Sequence, residues 1–167
     1  MKLFTKALLS VFAFMFLFGC STKQMDMLPS FEAKNFDTSM YESKVDNFII
    51  LYDASSSMNH PYNGTRKFTI ARAVADRMNQ TLPELGQTAG LRSFGHAPSV
   101  SKEKTELFYG MEKYSTQNLK MGLDKVKEAG GFSPLFLSLD AAGEDLKGLS
   151  GVHNAVIIIS DGQDLPG

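Results

Sequence analysis

The chain of 167 residues has one cysteine and no tryptophan. With Cys20 as the only thiol, no disulfide can form within the chain, and the paired Cys and His ligands of a zinc site are missing. No cluster of Lys and Arg interleaved with aromatics occurs, and the formal net charge is −1. A nucleic-acid partner is therefore not expected. The phosphate-binding Gly-x-x-x-x-Gly-Lys-Ser/Thr, the His-Glu-x-x-His of metalloproteases and the Gly-x-Ser-x-Gly nucleophile elbow are absent as well. What remains, 43% hydrophobic and 21% charged residues, bounds the chain to one ordinary globular domain plus an appendage.

The appendage is N-terminal. Lys2 and Lys6 precede an apolar stretch from Ala7 to Phe18, which is too short to span a bilayer, and Leu17-Phe18-Gly19-Cys20 follows. A basic start, an apolar core and a small residue before the cleavage point read as a secretory signal. The Gly19-Cys20 junction resembles a bacterial lipobox, although Phe18 is bulkier than the residue usual there. The resemblance implies a lipoprotein signal peptide over residues 1–19, lipid attached to Cys20 and anchoring to a membrane of the bacterial cell envelope. Ser21 rather than Asp after the cysteine implies, by resemblance to enterobacterial sorting, the outer membrane, with the protein facing the periplasm or the surface. Loss of Met1 to Gly19 removes two lysines and no acid, leaving 15 basic against 18 acidic residues, or about −3. Residues 20–44 are polar and mixed, which suits a tether. Met25, Met27, Phe31, Phe36 and Met40 equally suit a strap packed on the domain.

From Val45 onward strands and helices alternate. Val45 to Tyr52 is an almost unbroken apolar run, as expected of a parallel strand covered on both faces. Asn59 to Gly64 reads as a loop, and Thr65 to Leu82 as a helix whose stripe is Phe68, Ala71, Val74 or Ala75, Met78 and Leu82, with Pro83 as its stop. Strands are expected at Thr88 to Gly95, at Thr105 to Tyr109 and, most apolar of all, at Asn154 to Ser160. A helix capped by Ser115 should bury Leu119, Leu123 and Val126 and stop at Gly130. Another should start at Pro134, capped by Ser133, and bury Leu135, Leu139, Ala142 and Leu146. This order predicts an α/β sandwich around a mostly parallel sheet, whose ligands bind outside the carboxyl ends of the strands.

Three oxygen-bearing segments fall at such places. Asp53-Ala54-Ser55-Ser56-Ser57 follows the first apolar run, Gly130-Gly131-Phe132-Ser133-Pro134-Leu135 lies between two helices, and Ser160-Asp161-Gly162 closes the last strand. Carboxylates and hydroxyls suit a hard cation such as Mg²⁺, which takes oxygen ligands. Singly, each segment also reads as a turn satisfying its own backbone. Together, Asp-x-Ser-x-Ser, a later hydroxyl and an Asp after a further strand resemble the metal-ion-dependent adhesion site of von Willebrand factor type A domains. Ser133 stands where that family usually has Thr.

The resemblance implies a three-layer Rossmann-like α/β sandwich over residues 45–167. It makes Asp53, Ser55, Ser57, Ser133 and Asp161 the ligands of Mg²⁺, or of Mn²⁺ or Ca²⁺. It further implies a binding module rather than an enzyme, in which the metal offers an open position to a carboxylate of a protein ligand. Family members continue beyond the Asp-Gly loop with more helices and strands, so a domain truncated after its fourth strand, with an uncovered apolar edge, is expected. Capping alone would also explain Ser133, and the two roles compete for its hydroxyl. His60 and His96 are expected on the same rim as solvated loop residues and His153 at the opposite end; Phe132 and Tyr62 suit aromatic anchors around the ion, and Phe132 equally suits packing under its own loop. One enzymatic alternative resembles haloacid dehalogenase-like phosphatases, through Asp53 and Asp161-Gly162-Gln163-Asp164. Ser55 occupies the position where those enzymes need a general acid. A structural envelope lipoprotein with a vestigial site is the third reading.

Overall fold

A computed structural model describes residues 28–96 and 105–162; the signal segment, Cys20, Gln163 and Asp164 lie outside the described residues. The central sheet is mixed, with strand order β5-β4-β1-β6. Strand β1 (Asn47–Asp53) runs parallel to β4 (Thr88–Phe94) on one side and to β6 (Asn154–Ile159) on the other. Strand β5 (Thr105–Lys113) pairs antiparallel with β4. A small hairpin, β2 (Pro61–Tyr62) with β3 (Thr65–Arg66), sits apart from the sheet. Its turn is Asn63-Gly64, both at positive φ, the residue pair that a tight hairpin favours.

Every residue of β1 is buried, because helices lie on both faces of the sheet. Phe48, Ile50 and Tyr52 point to the face covered by α1 (Lys67–Thr81) and α2 (Thr116–Lys125). Ile49 and Leu51 point the other way and meet Ala142 and Leu146 of α3 (Leu135–Leu146). The two-residue period of a strand thus divides one apolar run between two cores. Arg92 of β4 joins β4 to α3, its Nε and Nη2 donating to the two carboxylate oxygens of Asp145 at 2.7 and 2.9 Å. Ahead of the sheet, Arg77 of α1 lies over the Phe31 ring and donates to the carbonyl of Pro29.

The alternation of strands and helices matches the sequence expectation, with corrections in detail. Residues Thr65 and Arg66 belong to the hairpin, so α1 begins at Lys67; Ala75 rather than Val74 takes the buried position. Strand β5 runs on to Lys113, four residues past the expected end. Helix α2 is capped by the Ser115 hydroxyl as expected but ends at Lys125. The segment that follows spends its backbone groups on the sheet instead of on a helix: Gly130 N–H donates to Ala54 and Gly131 N–H to Gly95, each at 2.9 Å. Pro134, not Ser133, holds the N-cap position of α3, and no side chain caps that helix. On α3, Ser138 is fully buried while Leu139 is exposed. Strand β6 is the edge of the sheet among the described residues, and Val156 and Ile158 are 41% and 46% exposed.

Candidate metal centre

The carboxyl ends of β1, β4 and β6 converge on one rim, where the chain after α2 crosses over them. Ser55 forms an isolated parallel bridge with Gly131, and the Ser56 N–H donates to the Gly131 carbonyl at 2.8 Å. Ala54 N–H extends the β1–β4 ladder by donating to Phe94 at 2.9 Å. Gly95 makes this closeness feasible. It has φ +65°, and a Cβ there would lie 2.5 Å from the Phe132 carbonyl oxygen and 2.6 Å from Ser55 Cα. Only glycine fits between those two backbones.

Asp53, at the end of β1, is completely buried. Its Oδ1 accepts from the Ser55 N–H at 2.8 Å and its Oδ2 from the Ser160 hydroxyl at 2.6 Å. A short 3₁₀ turn, Ser56–Asn59, then carries Ser57 back to within 3.1 Å of Ser55, oxygen to oxygen. Ser57 Oγ donates to Asp161 Oδ1 at 3.1 Å. Asn59 fixes the turn from outside, donating to the Ala129 carbonyl at 2.7 Å. Asp161 lies two residues past the end of β6, after Ser160, and its charge acts on Asp53.

The Asp161 charge adds to the cost of ionising Asp53. Burial pushes the Asp53 carboxyl above the ordinary carboxylate range, hydrogen bonds from Ser160 and Ser55 pull it back, and the Asp161 charge adds to the upward push. Among the described residues Lys67, the first residue of α1, meets this charge, its Nζ donating to Asp161 Oδ2 at 2.8 Å.

Four of the five expected ligands, Asp53, Ser55, Ser57 and Asp161, thus belong to one hydrogen-bonded cluster. Ser133 is buried two residues beyond Gly131, the residue bridged to Ser55. Among the described residues no three His, Cys, Asp or Glu side chains converge as a metal group. A cation here would therefore depend on hydroxyl oxygens as well as on the two acids. The donor set, all oxygen with two carboxylates, fits Mg²⁺, Mn²⁺ or Ca²⁺ and does not fit a soft metal.

The other rim residues divide. His60 and Tyr62 are exposed, and Phe132 is 43% exposed. His96 is buried rather than solvated, with Nε2 3.2 Å from Glu106 and its ring edge-on to Phe108. His153 lies at the opposite end of the sheet, its N–H bound to Asp46. Three participants escaped the reading of the sequence as ligands or supports: Lys67, Gly95 and the Ser160 hydroxyl. The β1–β6 register, with Tyr52 beside Ile159, would have pointed to Ser160 as the neighbour of Asp53. Beside Asp161 opens an apolar groove of about 400 Å³, lined by Met58, Tyr62, Ile70, Val74 and Ile159.

Compared with models of known protein families and with curated proteins, the chain matches none. No helix among the described residues is long and apolar enough to cross a membrane.

Proposed function

We propose that this chain is an envelope lipoprotein whose α/β domain, of the von Willebrand factor type A kind, binds a divalent metal and through it a carboxylate of a protein ligand. The observation that carries the reading is the line of oxygens from buried Asp53, Ser55 and Ser57 to half-buried Asp161, at the carboxyl edge of a mostly parallel sheet. Two carboxylates with hydroxyls between them form a donor set that suits a divalent cation. Mg²⁺ would take Asp53, Ser55, Ser57, Ser133 and Asp161 as its protein partners, directly or through water, and would supply a Lewis-acidic position for an incoming carboxylate. The apolar groove beside Asp161 would favour a ligand whose acid is flanked by an apolar side chain.

Within this reading the fold is a three-layer Rossmann-like sandwich. The anchor would be lipid on Cys20, and the location the outer membrane. Titration calorimetry of Mg²⁺ or Mn²⁺ into the purified protein tests the metal reading, with one saturable site expected. Absence of binding, or binding unchanged by Asp53→Ala, refutes it.

A further inference from the structure

We infer that Lys67 is the built-in counter-cation of the acidic cluster, an ammonium that a divalent ion must displace from Asp161, so that Lys67 sets the metal affinity. The inference rests on the metal reading above. Its own ground is the placement of Lys67. Helix α1 opens on Arg66-Lys67, with no acid in its first turn and no side-chain cap. Basic residues at a helix N-terminus oppose the helix dipole, so local helix stability does not explain a lysine there.

The chain goes to some length to deliver it. The Asn63-Gly64 turn folds β3 back along β2, and the Lys67 N–H donates to the His60 carbonyl at 3.1 Å. The helix start is thereby fixed over the rim, and Nζ reaches Asp161 Oδ2 at 2.8 Å, while Oδ1 of the same carboxylate takes the Ser57 hydroxyl. Asp161 is only 9% exposed and Lys67 26%, so the pair is partly withdrawn from water and its charge is not fully screened.

Both states of the site follow from the same charges. Without metal, Lys67 neutralises Asp161 and eases the repulsion that Asp161 exerts on buried Asp53. With metal, that duty passes to the ion, and an ammonium left at Asp161 would repel it. The ion therefore has to break the Lys67–Asp161 pair, and the free energy of that pair is subtracted from binding. For a partly exposed pair this amounts to about fivefold in affinity.

The experiment is calorimetric titration of Mg²⁺ or Mn²⁺ into wild type, Lys67→Met and Lys67→Arg, with thermal unfolding in chelator alongside. Lys67→Met should bind metal about fivefold tighter yet unfold at a lower temperature when metal-free, and Lys67→Arg should stay within about twofold of wild type on both counts. A lysine that merely supports the fold would lower the unfolding temperature without tightening the metal. If wild type binds and Lys67→Met binds no tighter, the counter-cation role is wrong while the metal site stands; if wild type binds no metal, both fail. Should Lys67→Met not fold, amine acylation of wild type read by mass spectrometry replaces it. Saturating Mg²⁺ should speed modification of Lys67 and leave exposed Lys147 unchanged, and an unaltered rate at Lys67 overturns the inference.

Discussion

Replacing Gly95 by alanine should be far more damaging than its small size suggests. Two penalties add. The residue sits at φ +65°, where a side chain costs about 1 kcal/mol or somewhat more. The new Cβ would also lie 2.5 Å from the Phe132 carbonyl and 2.6–2.7 Å from Ser55 Cα and N, all of them backbone atoms that cannot swing aside. Relief requires the β4 exit and the 131–133 segment to separate. That movement strains the Gly131 N–H to Gly95 bond and the neighbouring Ala54 N–H to Phe94 bond, each 2.9 Å long and each worth about 1 kcal/mol. The total is roughly 3–4 kcal/mol, a large share of a typical domain's stability.

Gly86 supplies the control, since it too has positive φ, +92°, but a methyl placed on it would meet nothing within 4 Å. Gly86→Ala should therefore cost only the backbone part, about 1 kcal/mol. Urea unfolding of wild type, Gly95→Ala and Gly86→Ala in chelator measures the difference. Equal destabilisation by the two alanines would refute the view that Gly95 is required by the close approach of three loops.

Two further outcomes are expected from groups around the sheet. Arg92 and Asp145 are 12% and 16% exposed and doubly hydrogen-bonded, so Asp145→Ala should cost about 3 kcal/mol by leaving a buried guanidinium unpaired. The double variant Arg92→Met with Asp145→Leu should recover most of it in denaturant unfolding, and failure to do so would contradict the pairing argument. Asp53 has a carboxyl raised above its ordinary 3.8, chiefly by burial. Its contribution to stability is present at low pH and is lost as pH rises from the unfolded value through the folded one. In chelator, wild type should therefore lose stability relative to Asp53→Asn as pH rises from about 4 towards neutrality, and the opposite slope in matched melts would be incompatible with a buried, raised Asp53.

The sheet and the rim were legible because the signals there are local and strong. The run Phe48 to Tyr52 reads as a strand buried on both faces, and the acids Asp53 and Asp161 follow such runs within two residues. Phase was legible only where polar residues mark the outer face. Leu135, Phe136, Leu137 and Leu139 make the start of α3 apolar all round, so spacing could not show that Ser138 would face the sheet; its hydroxyl is satisfied by the Pro134 carbonyl. The early end of α2 depends on partners distant in sequence. Arg72 of α1 takes the carbonyls of Leu123 and Val126, and the rim takes the amides of Gly130 and Gly131. Lys67 and Gly95 join the site only through the hairpin and the crossing loop, neither of which has a signature near Asp53.

That an oxygen cluster at the sheet edge holds a divalent cation is tested most directly by the calorimetric titration, run on wild type and Asp53→Ala side by side. One Mg²⁺ or Mn²⁺ per wild-type chain, with binding weakened at least tenfold by Asp53→Ala, is the expected result. No saturable binding to wild type, or equal affinity in the two proteins, would contradict it.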